Sequence, residues 1–344
     1  MMMQAPHFHE TMRRLLLWRV QLPQPALPPK ISPPPQLAPL FDALRPVHAA
    51  FNAQALHHGH RYRSAYWMIF LLSAFAVLCA VLPNALGWDQ SQHAWHAWAP
   101  AFGVAEILTI GAVALLYWRG RRSAWQAQWL AARTQAELAW YLPLLAPLVN
   151  FEEEAAAANW YWRTFEPGKE LRTLPELEAL CRANEKLARE LVPSLWRDPG
   201  FAPAYARWAA AVLHGQRYYH HQVYQREHAL QHRVHTLTAA LFGLTAAGAL
   251  AHLALHAAWL TALTTFFPAL GGSLHGALAQ SESFRLEHRS RRLEQEMASA
   301  ATRLDIGAGS VEQMRGCIAE ALSLILDEHQ DWHMLVRPHQ LSLA

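Results

Sequence analysis

The chain has 344 residues, with 29 Lys and Arg against 26 Asp and Glu and a formal net charge of only +3. That balance is too weak for a nucleic-acid-binding surface, which needs a concentrated basic patch. Hydrophobic residues make up 53% and charged residues 16%, and a mean hydropathy of −0.01 means that long apolar stretches are offset by polar ones. The three cysteines (Cys79, Cys181 and Cys317) form no C-x-x-C pair and suggest no disulfide framework, as expected in a reducing compartment.

Residues 1–22 are apolar and basic. Arg13 and Arg14 precede a core, Leu15–Trp18, too short for a secretory leader and followed at once by prolines. Nine prolines fall between Pro23 and Pro46, including Pro33-Pro34-Pro35, which predicts an extended polyproline-like linker. A helix is expected from about Gln36, running through His57, His58 and His60 into the uncharged run Ala65–Leu82. A second apolar run, Ala99–Trp118, carries one charge, Glu106. Each run matches the roughly 20 residues that a bilayer core of about 30 Å requires.

The same plan recurs later in the chain. Arg233 precedes Leu237–Leu255, and Pro268-Ala-Leu-Gly opens a run ending at Arg285, as Pro100-Ala-Phe-Gly opens one ending at Arg119. Arg63 to Pro100 is 37 residues and Arg233 to Pro268 is 35; Pro100 to Arg119 is 19 and Pro268 to Arg285 is 17. The repeat predicts an all-α integral membrane protein of two transmembrane hairpins, four spans in all, with long cytoplasmic helices. Arg61, Arg63, Arg119, Arg121, Arg122, Arg233, Arg285 and Arg289 flank the outer ends of the hairpins, whereas the loops 83–98 and 256–267 hold no Lys or Arg. Positive charge stays on the cytoplasmic side, so both termini and the middle segment are expected there. Trp88, Trp95, Trp98, Trp118 and Trp259 stand where aromatic belts form.

The expected segments are an arm with a Pro-rich linker (1–47), the first hairpin with flanking helices (48–142), a cytoplasmic helical region (143–220), the second hairpin (221–304) and a C-terminal helix (305–344). Trp125, Trp129, Ala132 and Ala136 recur at helical spacing until Pro143 and Pro147. Further helices are expected at 175–192 and 201–232, split by Pro193 and Asp198-Pro199-Gly200, then at Phe284–Thr302 and Val311–Leu335.

Glu106 lies seven residues into its span, about 10 Å below the outer boundary. A carboxylate there is costly unless it faces water, a partner or a cavity, which makes it the first pore-lining candidate; a helix shifted outward would instead let it reach the surface. His275, one position off the equivalent place in the repeat, is the second. Gly103, Gly111, Gly272 and Gly276 permit close helix approach, the last two as a Gly-x-x-x-Gly pair. His228, His232 and His235 share a helix face, with His221 upstream, and His252 and His256 form an i, i+4 pair. Such pairs suit a metal, but the ordinary reading is interfacial histidine, so no metal ligand or cofactor is assigned. Glu152-Glu153-Glu154 reads as a solvated turn. No Walker loop, dinucleotide fingerprint, nucleophile elbow or zinc spacing occurs, and no enzymatic activity is expected.

The run His60-Arg-Tyr-Arg-Ser-Ala-Tyr66, the basic exit Trp118-Arg-Gly-Arg-Arg122, the stretch Gly215-Gln-Arg-Tyr-Tyr-His220 and the tail Asp331-Trp-His-Met-Leu335 resemble the SLATT-type two-transmembrane effector families of bacterial nucleotide-linked conflict systems. The resemblance covers about residues 50–335. It implies an inner-membrane homo-oligomer that forms a pore on infection, in contact with lipid and with a nucleotide-sensing partner, often of the SLOG type. The chain departs from that family in having two hairpins and no recognisable sensor. The function expected is therefore a pore-forming antiphage effector. The alternatives are a His-box membrane metalloenzyme acting on lipid and a non-conducting scaffold for a soluble partner.

Overall fold

The computed structural model describes residues 7–149, 175–255, 257–306 and 310–322, apart from 24, 29, 89, 91 and 93. Among the described residues the regular structure is entirely helical and no strand occurs. The elements are α1 (Phe8–Leu16), α2 (Ala38–Ala85), α3 (Ala99–Arg122), α4 (Trp125–Leu145), α5 (Pro175–Leu195), α6 (Phe201–Leu255), α7 (Ala258–Gln280) and α8 (Ser283–Ile306). A further helical stretch covers 311–322. The segments at 152–154 and 331–335 lie outside the described residues.

The chain forms two compact units, and α2, α6 and α8 contribute residues to both. The first unit takes in the chain up to Pro23, Gly59–Trp125 and Tyr224–His288; the second takes in Gln24–His58, Gln126–Val223 and the chain from Arg289. The compact units thus cut across the five segments drawn from the sequence. The N-terminal arm is split between them at Pro23.

In the second unit, Leu37 just before α2 and Leu40 and Leu44 of α2 meet Leu138, Tyr141, Leu142 and Leu145 of α4, Phe201, Tyr205 and Trp208 of α6, and Met297, Ala300 and Leu304 of α8 in one core. Apolar residues three and four apart put one face of each helix into that core. The Phe201 and Tyr205 rings stack at 5.4 Å, and the Tyr205 hydroxyl donates to the Leu144 carbonyl. Trp196 donates its indole N–H to Pro147 O at 2.9 Å. The turn at 198–200 is closed by Asp198, whose Oδ1 accepts from Gly200 N at 2.8 Å and whose Oδ2 accepts from Gln36 at 2.7 Å.

The first unit is built differently. Three helical segments are long and apolar enough to cross a membrane: Pro35–Ala85, His96–Arg122 and Phe201–Leu255. Their apolar side chains are largely uncovered: Ile107 is 71% exposed, Leu108 68%, Leu250 69% and Leu253 75%. A water-facing helix would not carry such a surface, because each large apolar side chain left in water forgoes about 1.5–3 kcal/mol.

Three expectations change against the structure. The Pro-rich linker is shorter than predicted, since Pro39 and Pro46 lie inside α2; Pro39 falls in the first turn, where its missing N–H is unpaired anyway. The apolar helix beyond Arg119 is not continuous: Ala124, at φ 45°, breaks it between α3 and α4. The loop expected at 256–267 is shortened, because α7 begins at Ala258 and Pro268 is interior to it rather than at its start. A proline in the first turn costs no helical hydrogen bond, whereas one in the interior frees a carbonyl and bends or breaks the helix unless its surroundings accommodate it.

Leu142 is fully buried in the second unit's core. Leu142→Ala should lower unfolding stability by about 2–5 kcal/mol, measured by chemical denaturation in detergent.

Candidate functional site

Three helices of the first unit converge on Glu227. This carboxylate, on α6 ten residues before Leu237, is 0% exposed. It is met by the guanidinium of Arg13 from α1, by the hydroxyl of Ser283 at the start of α8, and by Arg226 Nε at 3.4 Å. Burial alone pushes the Glu227 pKa up; Arg13, Arg226 and the Ser283 hydrogen bond outweigh it and hold the group below its ordinary value of 4.5. Ser283 is placed by Glu282, whose φ of 64° turns the chain from α7 into α8.

Helix α1 brings Arg13 there because it is amphipathic. Met12, Leu16 and Leu17 pack against a cluster of Trp67 (α2), Leu230 and Val234 (α6), and Leu274, Ala277 and Leu278 (α7). Its other face leaves Leu15 exposed, as is Trp18 in the turn that follows, the pattern of a segment lying in a membrane interface.

A second polar cluster lies at the start of α1. The rings of His7 and His60 stack at 4.1 Å with 14° between their planes, and His9 lies 5.2 Å from His60. His9 is buried and its Nδ1 stands 3.1 Å from the Ser64 hydroxyl; Glu10 Oε1 stands 3.5 Å from His60 Nδ1. Burial, reinforced by the nearby charges of Arg63 and Arg13, lowers the His9 pKa to about 3, so its imidazole is neutral at physiological pH.

The residues singled out from the sequence are distributed as follows. Glu106 is half-buried on α3, and His275 is exposed on α7 with its ring 5.3 Å from Phe284. Gly276 faces the Phe70 ring of α2, which an added methyl group would overlap, whereas Gly103, Gly111 and Gly272 have open space where a side chain would project. Gly271, the small residue beside Gly272 in that span, approaches Thr238 of α6. Of the basic residues, Arg61 stacks over Trp125 at 5.0 Å and Arg122 over Trp118 at 5.2 Å; Arg119, Arg121, Arg233 and Arg285 are exposed, and Arg63 and Arg289 half-buried. Three histidines of α6 pair with acids of α8. In the first unit His228 Nδ1 lies 2.7 Å from Glu287; in the second, His221 lies 2.8 Å from Glu294 and His214 2.8 Å from Asp305. His214, His221 and His228 recur every seven residues, so they share one helix stripe. His256 lies outside the described residues.

Sequence reasoning missed Arg13, Glu227, His7, His9 and Glu10. A charge two turns ahead of an apolar run looks like an ordinary flanking residue, and nothing local marks positions 7–10 as neighbours of position 60. No family model, curated protein or solved structure shows significant similarity to the chain.

Glu227→Gln keeps the shape of the side chain but leaves Arg13 without its counter-charge, and should destabilise the protein by about 3–5 kcal/mol. Because the folded carboxyl titrates below its ordinary 4.5, the pair's contribution is fully present above that pH and is lost as pH falls through the folded pKa. Thermal unfolding in detergent between pH 7 and pH 3 should show this acid limb in the parent and a weakened one in the variant.

Proposed function

We propose that the chain is a multi-pass inner-membrane protein that assembles as a homo-oligomer and conducts ions when triggered, with both termini in the cytoplasm. The observation that carries this reading is the uncovered apolar surface of α3 and of the last part of α6, together with the half-buried carboxylate Glu106 inside that apolar helix. Lipid is the solvent that such side chains fit. A carboxylate amid them is tolerated where it meets water, a partner or another copy of the chain.

The fourth span in this reading is α7, 23 residues long and at about 1.5 Å per residue sufficient for a bilayer core. It is not among the three segments that length and composition single out, and Thr261, Thr264, Thr265, Ser273 and His275 interrupt its apolar run. The basic residues at the Arg61–Arg63, Arg119–Arg122, Arg233 and Arg285 ends support a cytoplasmic orientation for those ends. The exposed Leu15 of α1 and Trp18 just after it then lie at the same headgroup level, with Arg19 over Trp18 at 5.0 Å. Helices α2 and α6 contribute to both compact units, so a ligand or partner of the second unit has a continuous helical route to the spans.

An antiphage effector role, with a nucleotide-sensing partner, rests on the resemblance to SLATT-type effectors alone. The metalloenzyme alternative is less well supported, since among the described residues the α6 histidines form no group of three close donors that could share an ion.

Orientation is checked by reporter fusions: one at Gln92 should read external and one after Met297 cytoplasmic, and a cytoplasmic signal at Gln92 would end the hairpin reading. Conduction is checked in liposomes of purified protein. Glu106→Gln should lower cation flux several-fold at unchanged oligomer size, and Glu106→Lys should lower it further, because positive charge would then line the path. Flux unchanged in both variants of a conducting preparation would remove Glu106 from the pore.

A further inference from the structure

The geometry points to a transition-metal site, best matched to Zn2+, formed by His9 and Glu10 of α1 and His60 of α2, with His7 beside it as a fourth donor. One ligand atom from each of His9, Glu10 and His60 lies within 4.8 Å of the other two. Four-coordinate zinc holds its nitrogen and oxygen donors at about 2.0–2.2 Å, so small side-chain rotations bring the three onto one ion. His7 stacks on His60 at 4.1 Å, close enough for a change of rotamer to supply the fourth position.

Two features separate this cluster from an ordinary surface ion pair. His9 is buried, and Ser64 stands 3.1 Å from its Nδ1. A hydroxyl beside one ring nitrogen holds the ring's orientation and leaves the other nitrogen to ligate, in the way that outer-shell hydrogen bonds orient metal-bound histidines. The donor set itself then selects the ion. Two or three imidazoles with one carboxylate suit zinc and its neighbours in the transition series, whereas magnesium and calcium require oxygen-rich shells. Arg63 and Arg13 face His9 and weaken the attraction for any cation. Arg13 is itself neutralised by Glu227; the remaining repulsion acts alike on every divalent ion, so nitrogen ligation and not charge must hold the one that binds.

The ligands come from two elements about 50 residues apart in the chain. A bound ion would therefore clip the N-terminal helix onto α2 at the end where the basic residues gather. Its role would be to fix α1, independently of whether the spans conduct.

The test uses full-length protein in detergent, stripped with a chelator and titrated with Zn2+ alone. The parent should bind one ion per chain. Bound Co2+ should give the visible absorption of a four-coordinate site, and Zn2+ should slow tryptic cleavage at Arg14 and Arg19. His60→Gln should abolish the Co2+ spectrum and the protection, and Ser64→Ala should weaken binding by about 10-fold or more. His228→Gln, which removes a histidine paired elsewhere, should change nothing. His9 is buried, so His9→Gln is scored only if it keeps the parent's helical signal and elution volume; His60, on the partly exposed side of the cluster, carries the test if it does not. Failure of the folded parent to bind, binding that survives His60→Gln, or binding reduced equally by His228→Gln would each overturn the site, the last two pointing to loose capture by surface histidines.

Discussion

Glu227 carries a negative charge in a place water does not reach, and the way that charge is met organises the helix ends of the first unit. An ionised carboxylate cannot be buried unpaired without a penalty of several kcal/mol. Here it is matched by Arg13 and Arg226 and by the Ser283 hydroxyl, which draw on α1, α6 and the start of α8. The pair does not stabilise by its attraction alone, because desolvation offsets much of that gain. Its effect is on specificity. Another docking of α1 would leave Glu227 with only Arg226 and the Ser283 hydroxyl, so the apolar face of α1 and Arg13 select the same position.

That position matters because of what surrounds it. The helices that receive α1 continue into segments whose apolar side chains have no protein cover. Within a helix every interior backbone group is already hydrogen-bonded, which is the condition for entering hydrocarbon. The short connections fit the same constraint: α7 follows closely on α6, and Trp88, Trp95 and Trp98 occupy the longer link between α2 and α3, where His96 Nδ1 contacts the Trp88 carbonyl at 2.9 Å. The second unit has the opposite character, with a closed aromatic and aliphatic core and ion pairs kept to its surface. One chain thus combines a helical core that excludes water with helices that turn their apolar sides outward.

The histidines show how similar residues acquire different roles from their surroundings. Those on α6 at seven-residue spacing each face a carboxylate of α8 across the helix pair. They act as polar stitches between antiparallel neighbours. Those near the start of α1 face one another instead, with one glutamate among three rings. A histidine beside one acid makes an ion pair when protonated, whereas the imidazoles of His9 and His60 gathered close to the Glu10 carboxylate offer the donor atoms that the proposed metal site would use.

The sequence by itself determined the helical class and the helices most able to enter a membrane. Length of apolar run and the spacing of Trp125, Trp129, Ala132 and Ala136 are local properties, and helix formation answers to local properties. It also located the Asp198-Pro199-Gly200 turn and the long helix that follows it. It misplaced the start of α7, because Pro268 looks the same inside a helix as at its first turn until the neighbouring side chains are known. Only the tertiary structure decided which histidines meet, that Gly276 is shaped by Phe70, and that Arg13 is the counter-charge of Glu227. Those facts depend on residues 50 to 214 positions apart, and contacts at that range are set by how whole apolar faces pack, which no short stretch of sequence records.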